Sequence, residues 1–286
     1  MKRDNIFEEE GQPSLMVSKI NRSIKDFYST IFSNNPSLNP YGKEIVHSIL
    51  MRNDNFINNA TFHSGRKLHI LTNFKIVKKG LTKKEIKIKR FSLFFPICFL
   101  SVNISDKIIS LTKDINNEKQ LQLIYYSSLN IASKFESQNY IPYSYFEKKI
   151  KDSLVSGNEV SEFENKINRF LNFDYNIIFP TDILNIYQLV DKTDSNKEIA
   201  KRCKFIFLFI IFSKNFTHKN KELVVLIIYY YVKTKIDNQF NWSYDLQLMT
   251  GIDKKTIINN MIELSSEIKD NYKFFSWLKD NYYDLI

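Results

Sequence analysis

From Leu121 to Glu136 the chain reads LQLIYYSSLNIASKFE, with apolar or small residues at Leu121, Ile124, Tyr125, Ser128, Ile131, Ala132 and Phe135. Steps of three and four residues are the period of an α-helix. Leu123, Tyr126 and Leu129 make the opposite face nearly as apolar, and charge enters only at the C-terminal end, with Lys134 and Glu136. A helix that is apolar almost all round belongs inside a bundle. Its small residues Ser127, Ser128, Ala132 and Ser133 would let neighbouring helices approach closely.

The same periodicity predicts helices over Ser14–Phe32, Tyr41–Met51, Arg66–Val77, Leu93–Leu111, Pro142–Lys151 and Asn158–Leu171. After the stretch Phe173–Pro180 it resumes over Asp182–Val190, Lys197–Ser213, Lys219–Lys235, Ser243–Met249 and Lys254–Lys269, and ends with an aromatic helix over Asn271–Asp284. Asn34–Pro40 reads as a loop, Asn53–Gly65 as polar and irregular, and Gly251 as a helix C-terminal glycine. Two successive runs share the order long-long-long-short-long. The expectation is therefore an all-α chain of two tandem five-helix repeats with additional N-terminal and C-terminal helices. In residue numbers this gives an extension over 1–56, repeats over 57–176 and 177–270, and a final helix over 271–286.

Composition narrows the function more than the fold. Hydrophobic residues make up 43% and aromatics 15% of 286 residues, enough for sizeable cores, and six Gly argue against a Gly-loop fold. The net charge of +10 comes mainly from Lys, and no Arg-rich or aromatic-interleaved groove is visible, so a nucleic-acid partner is not expected. The densest basic run, Lys78–Arg90, suits a nuclear-import signal or a phosphate contact as well as a solvated surface. Cys98 and Cys203 lie in apolar runs without metal-ligand spacing and read as reduced, buried thiols. The N-terminus shows no signal peptide, and the apolar runs Phe205–Phe212 and Leu223–Val232 are too short to span a bilayer. These features place the protein in the nucleus and cytoplasm and not in a membrane. His47, His63, His69 and His218 are scattered, and no phosphate-binding loop, metal-ligand helix or nucleophile elbow is present. No cofactor, metal or catalytic residue is expected.

Several stretches together resemble the cyclin family, most of all the A/B-type mitotic cyclins. LQLIYYSSLNIASKFE is similar to the third helix of a cyclin box, with its Leu-Gln-Leu and Ala-Ser-Lys-Phe-Glu. FLSVNISDKIISL (Phe99–Leu111) resembles the family's Val-Asn helix ending in Asp-Arg-Phe-Leu. FENKINRFLNFDYNIIFPTDIL (Phe163–Leu184) resembles the stretch in which a Glu begins a helix that ends in Leu-x-Phe-Asp before a Pro. WSYDLQLMTG (Trp242–Gly251) and YGKEIVHSILMRNDN (Tyr41–Asn55) resemble a Trp…Thr-Gly segment of the second box and the helix preceding the first.

By this resemblance Arg66 and Asp106 form a buried ion pair, and Leu123 is the core Leu of the third helix. Lys134 and Glu164 are the pair that grips a cyclin-dependent protein kinase, and Ile131, Phe135, Phe173 and Tyr175 receive its regulatory helix. The implied function is a non-catalytic activator that forms a heterodimer with the kinase and repositions that helix, in cell-cycle control. An alternative on the same repeat is a scaffold or a factor like the transcription factor IIB core, which binds DNA. Where the family has Met-Arg-Ala-Ile-Leu-Val-Asp-Trp, the groove for Arg-x-Leu docking motifs, this chain has GRKLHILT (Gly65–Thr72), which implies loss of that groove. Neither an Arg-x-x-Leu destruction signal nor Lys-Glu-Asn precedes Tyr41, so the usual ubiquitin-dependent turnover is not expected.

Overall fold

The computed structural model describes residues 55–57, 62–63, 65–82, 93–112, 115, 117–137, 141–148, 153–175, 177–191, 197–239 and 242–286. The expected helices Ser14–Phe32 and Tyr41–Met51, the loop Asn34–Pro40 and most of the Lys-rich run lie outside these residues. A first group comprises α1 (Arg66–Thr82), α2 (Phe94–Leu111), α3 (Glu118–Glu136), α4 (Tyr143–Lys148) and α5 (Gly157–Phe170). A second group repeats the order with α6 (Pro180–Val190), α7 (Lys197–Ile210), α9 (Lys221–Asp237), α10 (Tyr244–Thr250) and α11 (Lys254–Asp270). The one-turn helix α8 (Lys214–Thr217) is inserted before α9, and α12 (Tyr272–Tyr282) and a 3-10 turn at Tyr283–Leu285 follow the second group. The fold is all-α, as the periodicity predicts, and no extended strand occurs among the described residues.

The boundaries follow from local chemistry. Helix α3 begins three residues before Leu121 because Asn117 accepts a hydrogen bond from the Gln120 amide and Glu118 faces the positive end of the helix dipole. Ser156 and Glu159 form a reciprocal capping box that starts α5, and Gly251 closes α10 with a left-handed φ of 68°.

Within each group one helix is central. Helix α3 packs against α1, α2 and α5, and α9 packs against α6, α7 and α11. Tyr125, Leu129 and Ala132 on α3, and Val224 to Tyr229 on α9, are sealed from solvent. Helix α2 is long and apolar enough to cross a membrane by length and composition, but most of it is buried within the bundle.

A short segment ahead of α1 stitches the groups together. Asn55 bridges Asn220, and the Phe56 and Ile57 amides donate to the Lys219 and Thr217 carbonyls at 2.9 and 3.0 Å. The Phe56 ring lies between Phe99 of α2 (5.4 Å) and Phe207 of α7 (5.8 Å) and is fully buried. Within the stretch expected to be only polar and irregular, Phe56 and Ile57 are therefore core residues. A lone Phe-Ile pair has no period to betray it. Helix α12 closes the other side of the seam. Tyr282 stacks on Phe94 of α2 at 5.6 Å, while Phe275 meets Phe205 and Phe209 of α7 edge-on at 5.0 and 5.1 Å. Phe56→Ala should cost about 3–5 kcal/mol of stability, as truncation of a fully buried Phe does. Urea unfolding checks this, and a loss below about 1 kcal/mol would show that the seam does not need the ring.

Candidate functional site

The buried face of α3 fixes what happens at its exit. Ser127 donates to the Val160 carbonyl of α5 at 3.1 Å, so the small residues let the two helices touch. This crossing brings Lys134, in the last turn of α3, to Glu164 of α5, thirty residues further along the chain. Lys134 Nζ donates to Glu164 Oε1 at 2.7 Å and to the Tyr143 hydroxyl of α4 at 2.8 Å. The Tyr143 hydroxyl donates in turn to Glu164 Oε2 at 2.8 Å, and Asn130 Nδ2 donates to the same oxygen at 2.9 Å. The Glu164 side chain is only 6% exposed and that of Lys134 36%. Burial by itself would lower the pKa of the Lys134 ammonium, but the bonds from Glu164 and Tyr143 outweigh it and hold it above its ordinary value. A sunken carboxylate thus anchors a cation that still reaches the surface.

The apolar residues expected beside the pair divide into two kinds. Ile131 and Tyr175 are buried; the Tyr175 ring meets Phe135 edge-on at 6.0 Å and its hydroxyl donates to Asn168 Oδ1. They support the rim from within. Phe135 is half-buried, and Phe173 is 64% exposed. Phe173 and its neighbour Asn172 both take left-handed backbone angles, with φ of 55° and 48°. That region is unfavourable for a bulky side chain. The Phe173 amide bonds back to the Asn168 carbonyl at 3.0 Å, which ends α5 and leaves the Phe173 ring in solvent. Phe170, 60% exposed, adds a second aromatic at this end of α5 and is not among the residues expected there. Its position in the last turn of an amphipathic helix resembles that of any core Phe, so periodicity gives no signal.

Arg66 and Asp106 also meet, far from solvent. Arg66 Nε lies 3.1 and 3.2 Å from the two Asp106 oxygens and Nη2 2.7 Å from one of them, while Nη1 donates to the Ile211 carbonyl of the second group at 2.8 Å. Burial pushes the Asp106 carboxyl up to about 6, against the pull of Arg66. This pair therefore joins α1, α2 and the chain after α7. Leu123 is only partly buried at the edge of the core, whose centre on α3 is Tyr125, Leu129 and Ala132.

Over Gly65–Thr72, Leu68 is 64% exposed whereas His69 turns inward and stacks on Tyr125 at 4.8 Å, its Nε2 3.3 Å from Glu118. The His69 ring fills the space against Gly65, where a Cβ would come within 3.2 Å of it. Cys98 and Cys203 are free and buried, and burial raises both thiols. No group of three or more candidate metal ligands occurs among the described residues.

Two tandem five-helix groups joined by a buried ion pair make up the all-α fold, and the first group carries the Lys134–Glu164 pair and the exposed Phe170 and Phe173. Residues 86–176, about a third of the chain, match the family model described as the cyclin N-terminal domain. The match includes Asp106, Leu123, the Lys134–Glu164 pair and its apolar neighbours; Arg66 lies outside it. The fold is similar to that of a viral cyclin from herpesvirus saimiri solved by X-ray crystallography, with a TM-score of 0.59 and 15% identity over 80% of this chain and 96% of that one. No curated protein sequence matches the chain. The fold is thus similar to that of a cyclin, and the family match is confined to the first helical group, from the residues before α2 to those after α5.

Proposed function

We propose that the protein is a cyclin in function as well as fold: a non-catalytic subunit that binds and activates a cyclin-dependent protein kinase in cell-cycle control. The observation that carries this reading is the Lys134–Glu164 pair, held by Tyr143 and Asn130 on a box that matches the cyclin N-terminal domain. Lys134 and Glu164 would meet backbone groups beside the kinase's regulatory helix, and Phe135 and Phe173 would take its apolar side chains. Stabilising the inward position of that helix lets its Glu pair with the kinase's phosphate-binding Lys, which shifts the kinase towards its active arrangement. An interface of this regulatory kind buries about 2,000 Å² or more.

The sequence likeness to A/B-type cyclins suggests a mitotic role in the nucleus and cytoplasm. The inward turn of His69 and the missing Trp at Thr72 support loss of the Arg-x-Leu docking groove. Titration with a fluorescent Arg-x-Leu peptide should show no micromolar binding, and saturable micromolar binding that Leu68→Ala removes would refute the loss.

The function itself is tested by mixing the purified chain with purified, activation-loop-phosphorylated cyclin-dependent kinases and following histone phosphorylation. At least one kinase should form a stable complex and gain activity by about 100-fold or more, the scale of differential binding needed to move a mostly inactive population. Salt-dependent DNA binding with no kinase complex would favour the transcription-factor reading instead.

A further inference from the structure

Tyr143 is absent from the residues that the family resemblance supplies, yet it touches both members of the charged pair. Its hydroxyl accepts from Lys134 Nζ and donates to Glu164 Oε2, each at 2.8 Å, and the Lys134 ammonium also lies 4.9 Å from the centre of its ring. A hydroxyl is the group for this position, because it is donor and acceptor at once. It offers the buried carboxylate a hydrogen and the ammonium a lone pair. We propose that Tyr143 is a positioning residue of the partner-binding site, holding the Lys134 ammonium over Glu164, and that Gly157 seats it there.

The seat is built from α5. A Cβ at Gly157 would lie 3.0 Å from both the carbonyl carbon and oxygen of Tyr143 and 3.2 Å from its Cβ, so a side chain there would push α4 away from the start of α5 by a few tenths of an ångström. The Gly157 amide donates to Glu147 Oε2 of α4 at 3.3 Å. Phe146, fully buried and stacked on Tyr126 of α3 at 5.3 Å, anchors the other side of the short helix. A six-residue helix has little rigidity of its own, so these contacts determine where the Tyr143 hydroxyl points. Without that hydroxyl, Lys134 keeps its carboxylate partner but loses the second bond that fixes its long, flexible stem. More of the cost of ordering the stem then falls on the binding partner.

The inference deepens the kinase reading and rests on it for its biological consequence, but its first test needs no kinase. In the full chain labelled with 15N at lysine side chains, the Lys134 ammonium should give a slowly exchanging signal, assigned by its disappearance in Lys134→Arg. Tyr143→Phe should shift and broaden that signal, with a fall of a few degrees in the thermal midpoint from the hydrogen bond lost to Glu164. Gly157→Ala, which alters no polar group, should perturb it in the same way. With a cyclin-dependent kinase that binds the wild type, Tyr143→Phe should weaken binding about 10-fold, the scale of one hydrogen bond to a charged group. Lys134→Ala should then cost less affinity when combined with Tyr143→Phe than it does in wild type, because the two residues act as a unit. A purely structural Tyr143 would instead leave the Lys134 signal in place and give additive losses.

The proposal is overturned if wild type shows no slowly exchanging Lys134 signal, if that signal is the same in Tyr143→Phe, or if the binding losses add. A chain that shows the expected signal change but binds no kinase would leave Tyr143's role standing and refute the kinase reading.

Discussion

Lys134→Ala should abolish measurable kinase activation while leaving the helical content and the thermal midpoint nearly as in wild type. Lys134 stands at the end of α3 with over a third of its side chain in solvent, and Glu164 keeps Tyr143 and Asn130 as hydrogen-bond donors when the ammonium is removed. The fold therefore loses little. A kinase complex would lose the one cation that the network holds at the rim, in an interface where it becomes desolvated. Truncating one member of such a charged contact costs roughly 2–5 kcal/mol, about 30- to several-thousand-fold in affinity.

Glu164→Ala is a different experiment, although the sequence makes the two residues look equivalent. It removes a buried acceptor of three hydrogen bonds and leaves Lys134, Tyr143 and Asn130 without their common partner. We expect it to lose affinity and about 2 kcal/mol or more of stability together. Isothermal titration of a kinase with each variant, beside urea unfolding, separates the two effects. Wild-type affinity in a folded Lys134→Ala variant would remove the pair from the interface.

The helices were legible by periodicity, with Gly251 marking the end of α10, whereas the Ser156–Glu159 box that starts α5 and the Ser243 cap of α10 emerge only in the structure. Both charged pairs were legible only through the family resemblance. Taken singly, Lys134 and Glu164 have the helix-end positions that the dipole favours for any Lys and Glu. What escaped the sequence is what depends on three-dimensional closure. Phe56 and Ile57 lie in a short segment with no period, and their burial follows from two amide bonds to the turn at 217–219. Tyr143 belongs to the site because Gly157 lets two backbones touch, which no spacing along the chain reveals. In the second group, Asp191 and Lys233 form an additional mostly buried ion pair, with Tyr229 also donating to Asp191. Its members are 42 residues apart and match no motif.

Arg66→Met should be among the most destabilising single substitutions in the protein, and its effect should depend on pH. The side chain reaches both oxygens of Asp106, which has no exposed surface, and also satisfies the Ile211 carbonyl in the second helical group. Removing one partner from a buried ion pair costs about 3–5 kcal/mol, because the remaining charge stays in a medium that cannot solvate it. The pH dependence follows from what holds the Asp106 carboxyl near 6. Burial raises it and Arg66 is the influence pulling it down, so without the guanidinium it moves higher still. An acid whose folded-state pKa lies above its unfolded value binds more protons when folded, and the contribution of that site to stability falls as pH rises. In wild type this fall is complete just above pH 6. In Arg66→Met it continues through neutral pH, so the stability gap between the two should be small near about pH 5.5 and widen towards about pH 8. Burial, His69 and Arg66 together hold the His63 imidazole down; losing the guanidinium lets it rise, which narrows the gap at the acid end and so acts in the same direction. Urea unfolding of the pair across this range measures the gap directly. A loss of the same size at every pH would mean that the Ile211 contact and packing, and not the Asp106 charge, give Arg66 its weight in joining the two helical groups.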